Sequence, residues 1–95
     1  MADGFDVLSF VKKSLGITDD FHDGTLQCYI DEVKAYLTDA GVAEAVVHTS
    51  ACAGAITRGV ADLWNLGAGG ADLSPYFHER AAQLALKWGA IYEQA

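Results

Sequence analysis

Basic residues are scarce in this sequence, and the few that are present are scattered along it. Only six of the 95 residues are Lys or Arg, against 13 Asp and Glu, which gives a formal net charge of −7. Tight DNA binding requires clustered Lys and Arg that displace counterions from phosphates, and here only Lys12 and Lys13 are adjacent. A DNA-gripping function, including a helix-turn-helix domain, is therefore disfavoured. An acidic surface can still face DNA that has to slide past without adhering.

Cysteine and long apolar runs are also lacking. Cys28 and Cys52 are the two cysteines, and they lack the Cys-x-x-Cys spacing of many metal or redox sites. Both lie in segments with an apolar pattern, so we expect two buried free thiols instead of a disulfide. No apolar run approaches the roughly 18 residues of a membrane-spanning helix, so no membrane span is expected.

Apolar residues are nevertheless abundant enough for one small core. Hydrophobic residues make up 52% of the chain, which argues against intrinsic disorder. This length predicts one domain that covers residues 1–95. A domain of this size buries a smaller share of its surface than a large one, and packing against copies or a partner would add stability. The size therefore favours an assembly protein.

The spacing of apolar residues predicts an all-α fold, a small bundle of about four helices with a glycine-rich loop before the last helix. The predicted helices cover about residues 6–15, 20–40, 50–66 and 75–92. The second is the clearest, because its apolar residues fill an arc of about 120°. Its opposite face carries Asp31, Glu32, Ala35 and Asp39. Residues 42–49 are ambiguous, and a linker or helical turn is favoured over a short strand.

The third and fourth predicted helices carry distinct local signals. Ser50 is a plausible N-cap for the third, whose interior contains Gly54 and Gly59. A glycine inside a helix costs about 1 kcal/mol relative to alanine, so these glycines suggest close approach of another backbone. For the fourth helix, Ser74 followed by Pro75 predicts the N-cap and the first helical position.

No metal-binding motif is complete. His78-Glu79 begins like the helix of a zinc protease, but the second histidine would have to be residue 82, which is Ala82. Residues 19–24 resemble the start of a calcium loop, yet Phe21 and Ile30 stand where polar ligands are required. We expect no metal and no other cofactor.

Catalytic motifs are equally incomplete. The glycines of residues 67–70 lack the Lys-Ser/Thr ending of a phosphate-binding loop. Neither Ser50 nor Cys52 lies in a nucleophile signature. An enzyme or ligand-binding domain would need clustered polar residues, which the sequence does not show. We expect no enzymatic activity.

Five side chains are candidates for a protein interface. Trp64 lies at the edge of its helix's apolar stripe, and Leu86 lies on a face that should otherwise be polar. A ring-forming subunit would bury such a second apolar contact against a neighbour. Arg58, Arg80 and Tyr92 complete the predicted interface.

Read in order, several segments resemble one family. A short first helix ends in a Leu-Gly-Ile-like turn, an acidic stretch leads into the long helix, a small-residue helix follows, and a Ser-Pro entry opens the last helix. These segments are residues 8–17 (LSFVKKSLGI), 18–23 (TDDFHD), 30–37 (IDEVKAYL), 55–65 (AITRGVADLWN), 73–77 (LSPYF) and 80–86 (RAAQLAL). Across roughly residues 6–88 the chain resembles the head–tail connector proteins of tailed bacteriophages, also called head-completion or adaptor proteins.

The resemblance implies a structural virion protein of the phage neck, present in the host cytoplasm before assembly. The implied protein forms a ring beneath the portal, extends the DNA channel and provides the platform for neck or tail attachment. Its implied partners are its own copies, the portal protein, a downstream neck or tail-completion protein, and DNA that passes without sequence-specific binding. The alternative is a small helical interaction or regulatory module unrelated to phage necks, which the neighbouring genes would distinguish.

Overall fold

The computed structural model describes residues 6–66 and 73–89, which form five α-helices. The helices are α1 (Val7–Leu15), α2 (Asp23–Asp39), α3 (Glu44–Val47), α4 (Ala53–Leu66) and α5 (Pro75–Lys87). The described residues contain no strand, and one isolated antiparallel bridge joins Val42 to Gly89. The predicted all-α class is therefore confirmed. The glycine-rich loop predicted before the last helix lies outside the described residues.

Helix α1 has a defined cap at each end. The Asp6 carboxylate accepts a hydrogen bond from the Ser9 backbone N–H at 3.1 Å, which satisfies one of the free donors of the first turn. Gly16 adopts a left-handed conformation with φ +75°, and the Ile17 N–H donates to the Lys12 carbonyl at 2.9 Å. This pairing is a Schellman-type ending, which explains why the helix stops at the predicted Leu-Gly-Ile turn.

Helix α2 separates a buried face from a polar one. Its buried face is fully inaccessible to solvent and consists of Leu26, Ile30, Val33 and Leu37. The four residues predicted for the opposite face, Asp31, Glu32, Ala35 and Asp39, are all exposed. Cys28 is exposed as well, because its helical phase places it opposite the buried stripe. The expectation of two buried thiols was thus wrong for Cys28 and is confirmed for Cys52.

The ambiguous segment between α2 and α4 contains one short helix. Short helix α3 buries Val46 and Val47 against the core. A 3₁₀ turn, Ser50–Cys52, follows it and leads directly into α4. Thr49, and not the predicted Ser50, caps this turn, because its hydroxyl accepts a hydrogen bond from the Ala51 N–H at 3.3 Å.

Helix α4 lies at the centre of the bundle and contacts α1, α2 and α5. A Cβ atom placed on Gly59 would lie 2.9 Å from both methyl groups of Val33 and 3.0 Å from Cε1 of Phe77. Gly59 therefore allows α2, α4 and α5 to pack closely, as its sequence position suggested. Gly54 has nothing within 4 Å of the equivalent position, so the predicted close approach was wrong there.

Helix α5 is fixed at both ends. The Ser74 hydroxyl accepts a hydrogen bond from the Phe77 N–H at 3.2 Å, and the Ser74 N–H donates to Asp62 of α4 at 3.1 Å. The helix ends at Lys87, earlier than the expected residue 92. The cause is a tertiary contact: the Trp88 carbonyl accepts a hydrogen bond from the Ala43 N–H at 2.6 Å, which draws the chain toward the turn after α2.

Candidate protein-interaction surfaces

The described residues do not meet the requirements of a metal site. Within residues 6–66 and 73–89, no group of three or more His, Cys, Asp or Glu side chains could hold a metal ion. The surface depressions are open grooves; one lies between α2 and α3 and is lined by residues that include Lys34, Glu44 and His48. Several exposed side chains of the described residues could contact another protein.

Leu86 is the most exposed large apolar side chain of the described residues, at 89%. It lies on the outer face of α5, where Ala82 and Gln83, one turn earlier, are also exposed. The next residue, Lys87, places its ammonium group 5.3 Å from the centre of the Trp88 ring. The structure thus places Leu86 away from the core, in agreement with its position off the apolar stripe.

Trp64 is partly covered by the chain itself. It packs against the hydrophobic core, and the His22 ring meets it edge to face with 5.0 Å between centroids. The Phe21 ring meets His22 in the same way, also at 5.0 Å. Phe21 is the outermost ring of this row and is 87% exposed. The sequence reasoning missed Phe21, although an apolar residue in a polar helix entry, off every apolar stripe, was the available signal.

The turn that carries Phe21 is ordered by hydrogen bonds and ion pairs. The Phe21 N–H donates to the Asp19 carboxylate at 3.0 Å, and the Asp23 N–H donates to the Asp20 carbonyl at 3.2 Å. The Lys12 ammonium lies 2.7 Å from Asp23 and 3.3 Å from Asp20. The hydrogen bond from Lys12 to Asp23 raises the pKa of Lys12 above its ordinary 10.5, and Asp20 adds to this effect. Phe21 therefore projects from a fixed turn.

Arg58 and Arg80 lie around one exposed aromatic ring. The Arg58 guanidinium lies 4.8 Å from the centre of the Tyr76 ring, a cation–π contact between α4 and α5. Arg80 follows Tyr76 by one helical turn and donates a hydrogen bond to Gln83 at 3.2 Å. Tyr76 is 58% exposed and was not among the predicted residues.

The four predicted interface residues that the structure describes do not form one patch. Arg58 and Arg80 share the α4–α5 surface around Tyr76, whereas Leu86 lies near the end of α5, where the chain approaches the turn after α2. Trp64 lies two residues after Asp62, whose carboxylate accepts a hydrogen bond from the Ser74 N–H at the beginning of α5. Since the 13 residues of α5 extend over about 20 Å, Trp64 and Leu86 are well separated. Tyr92 lies outside the described residues.

Comparison with known families gives one match that covers most of the chain. The family model described as "Phage gp6-like head-tail connector protein" matches residues 5–87, nearly the whole chain. No curated protein and no solved structure shows a significant match. In the described part of the chain, no helix combines the length and the apolar character needed to cross a membrane. The resemblance noted in the sequence is confirmed, and the chain belongs to the family of phage gp6-like head-tail connector proteins.

Proposed function

We propose that the protein is a ring-forming subunit of the phage neck. In this proposal the ring assembles beneath the portal, extends the DNA channel and provides the platform for the next neck or tail-completion protein. The observation that carries the proposal is the family match over residues 5–87, because a head-tail connector has to contact proteins on both of its sides. The protein works through these contacts and not through catalysis.

The distribution of exposed side chains supports a ring. A closed ring of identical subunits uses heterologous contacts, so each subunit must present two different patches to its two neighbours. The described surface has separate candidates for such contacts: Phe21, Leu86, and the Arg58–Tyr76 pair. Further contacts with portal and tail proteins need surface that the ring itself leaves free, and a small domain with several separate exposed patches meets that need.

The charge of α2 supports a position beside DNA. Its exposed face carries Asp31, Glu32 and Asp39, within a chain whose formal net charge is −7. Carboxylates repel DNA phosphates, so a channel lined by them lets DNA pass without adhering. We therefore assign this acidic face of α2 to the channel, with DNA as a passing and not a specifically bound partner.

Electron microscopy of the chain mixed with its cognate portal tests the function. The expected result is additional ring density coaxial with the portal, absent from portal alone. Because assembly can depend on the portal, a monomer in the absence of portal does not decide the question, whereas failure to associate with the portal would contradict the function. The same map tests the charge assignment, which fails if the acidic face of α2 points away from the channel.

A further inference from the structure

We infer that neighbouring copies of this chain contact each other through two unlike surfaces, with Phe21 of one copy packed against the Leu86 face of the next. The Phe21 turn comprises residues 19–22, and the Leu86 face comprises Ala82, Leu86 and Lys87. This inference rests on the proposed ring and names the surfaces that join its subunits. Three independent features of the described residues support it: position, exposure and charge.

The two surfaces lie at opposite ends of α2. The Phe21 turn directly precedes the helix, while Ala85, the residue before Leu86, lies beside Gly41 just after the helix, 3.4 Å from a Cβ placed there. The 17 residues of α2 extend over about 25 Å. A contact between such distant surfaces cannot form within one chain. It can form between copies, and each copy then has one donor and one acceptor surface, as a ring requires.

Exposure and order make both surfaces suited to a specific contact. Phe21 and Leu86 are 87% and 89% exposed, and no other large apolar side chain of the described residues exceeds 58%. The Asp19 carboxylate and the Lys12 ion pairs hold the Phe21 turn in place. The turn therefore loses little conformational freedom when a neighbouring copy buries the Phe21 side chain. On the other surface, the exposed small side chain of Ala82 lies one turn before Leu86 and leaves space for an aromatic ring.

Charge decides which surfaces pair. Asp19 and Asp20 precede Phe21, whereas Lys87 follows Leu86. Asp19, Asp20 and Lys87 are all exposed. In a two-fold contact, Phe21 turns would meet each other and place carboxylates against carboxylates, which is unfavourable. Pairing of the Phe21 turn with the Leu86 face instead brings Asp19 and Asp20 toward Lys87. The occupant of each surface is therefore a second copy of this chain in a heterologous arrangement.

Cysteine cross-linking on the cognate portal tests the pairing directly. All variants carry Cys28→Ser, because Cys28 is the exposed native thiol and Cys52 is buried. An equimolar mixture of Phe21→Cys and Leu86→Cys chains, treated with a mild oxidant, should give a disulfide-linked dimer. A chain with both substitutions should give a ladder of linked subunits up to the closed ring. Absence of the mixed dimer at chain concentrations at which the cysteine variants form rings on the portal, or equally efficient dimers of Phe21→Cys alone, would overturn the inference.

Serine substitutions supply an independent measurement. Phe21→Ser and Leu86→Ser should each weaken assembly on the portal at least tenfold, which corresponds to about 1.4 kcal/mol. Phe10→Ser is the matched control, because it removes an exposed aromatic ring of α1 that belongs to neither surface and to none of the other candidate contacts, and it should assemble like the unaltered chain. Unchanged helical content by circular dichroism verifies that each variant is folded.

The outcomes separate this inference from the function on which it rests. If the unaltered chain forms a ring on the portal and both serine variants do so equally well, the named surfaces are wrong while the ring function stands. An equal loss in all three serine variants would overturn the assignment too, since the effect would not be specific to the two surfaces. If the unaltered chain does not associate with the portal, the proposed function fails, and the inference fails with it.

Discussion

The buried crossing of α2, α4 and α5 differs sharply from the exposed ends of the molecule, although both use large apolar side chains. At the crossing, Val33 and Phe77 are fully buried, and Gly59 between them has no room for a methyl group. At the ends, Phe21 and Leu86 leave nearly nine tenths of their surface in water. The crossing is completed by the chain's own helices, whereas burial of the two exposed side chains requires another molecule.

The same contrast recurs between neighbouring positions of single helices. On α5, Phe77 is buried while the preceding Tyr76 is exposed. On α4, Gly59 is enclosed while Gly54 faces open space. Each pair shares its helix and residue class and differs in what surrounds it. Because the residue types within a pair are similar, the difference in stability between the two substitutions reports the difference in their surroundings.

The largest difference is expected between Phe77→Ala and Tyr76→Ala. Loss of a fully buried phenylalanine leaves a cavity and should lower the free energy of unfolding by about 3 to 5 kcal/mol. Tyr76→Ala removes an exposed ring and its contact with Arg58, which should cost about 0.5 to 1 kcal/mol. Urea unfolding followed by circular dichroism measures both values. Similar losses in the two variants would contradict the described boundary between core and surface.

The two glycines of α4 should respond in opposite directions to alanine. Gly59→Ala places a methyl group 2.9 Å from the branched, stiff side chain of Val33, and we expect a loss of about 1 to 3 kcal/mol. Gly54→Ala enters open space and should add about 0.5 to 1 kcal/mol, because alanine favours the helix.

A double-mutant cycle identifies the cause of the Gly59 effect. Val33→Ala removes both methyl groups that the new Cβ would contact, so the pair Gly59→Ala and Val33→Ala should cost less than the sum of the two single changes. Strict additivity, or destabilisation by Gly54→Ala as large as that by Gly59→Ala, would show that the crossing is not the source of the loss.

The interior was more predictable from sequence than the surface, for a physical reason. Apolar periodicity predicted the buried face of α2, because helical geometry relates spacing to direction. The capping signal of Ser74 and Pro75 predicted the start of α5. Apolar periodicity could not distinguish Gly54 from Gly59, since the distinction depends on the helices that cross α4 and not on α4 itself. The end of α5 depends on a hydrogen bond between Trp88 and Ala43, residues far apart in sequence.

The candidate surfaces were predicted only in part. Leu86 was identified because it departs from a clear apolar stripe, and the structure leaves it exposed. Phe21 was missed because it lies in a turn, outside the apolar stripes on which the prediction rested, although an apolar residue in a polar helix entry is itself a signal. Trp64 was selected from the edge of its stripe, but His22, which follows Phe21 in that turn, covers one edge of its ring. The contact between the His22 and Trp64 rings becomes visible only in the tertiary structure.

The smallest expected effect is a pH dependence of the free energy of unfolding, which should differ between the buried Cys52 and the exposed Cys28. Burial raises the pKa of the Cys52 thiol above its ordinary 9.0, and the nearby charge of Arg80 opposes this only in part. Above the ordinary pKa the unfolded chain therefore releases a proton that the folded chain retains. The unfolded state then binds fewer protons, so the free energy of unfolding falls as pH rises. The contribution is fully present below pH 9.0 and is lost as pH rises through the folded-state value.

Unfolding measured from pH 8 to pH 10.5 tests this slope in Cys52→Ala and Cys28→Ala, with about 8.5 to 9 as the expected onset. Cys52→Ala should lower stability at every pH, because it leaves a small cavity, but it should also flatten the alkaline decline. The raised pKa of Lys12 acts in the same direction only above 10.5, outside this range. Cys28→Ala removes the same group from the surface of α2 and serves as the control. If the alkaline decline in the free energy of unfolding persists in Cys52→Ala, or disappears in Cys28→Ala, burial of Cys52 is not the cause of that decline.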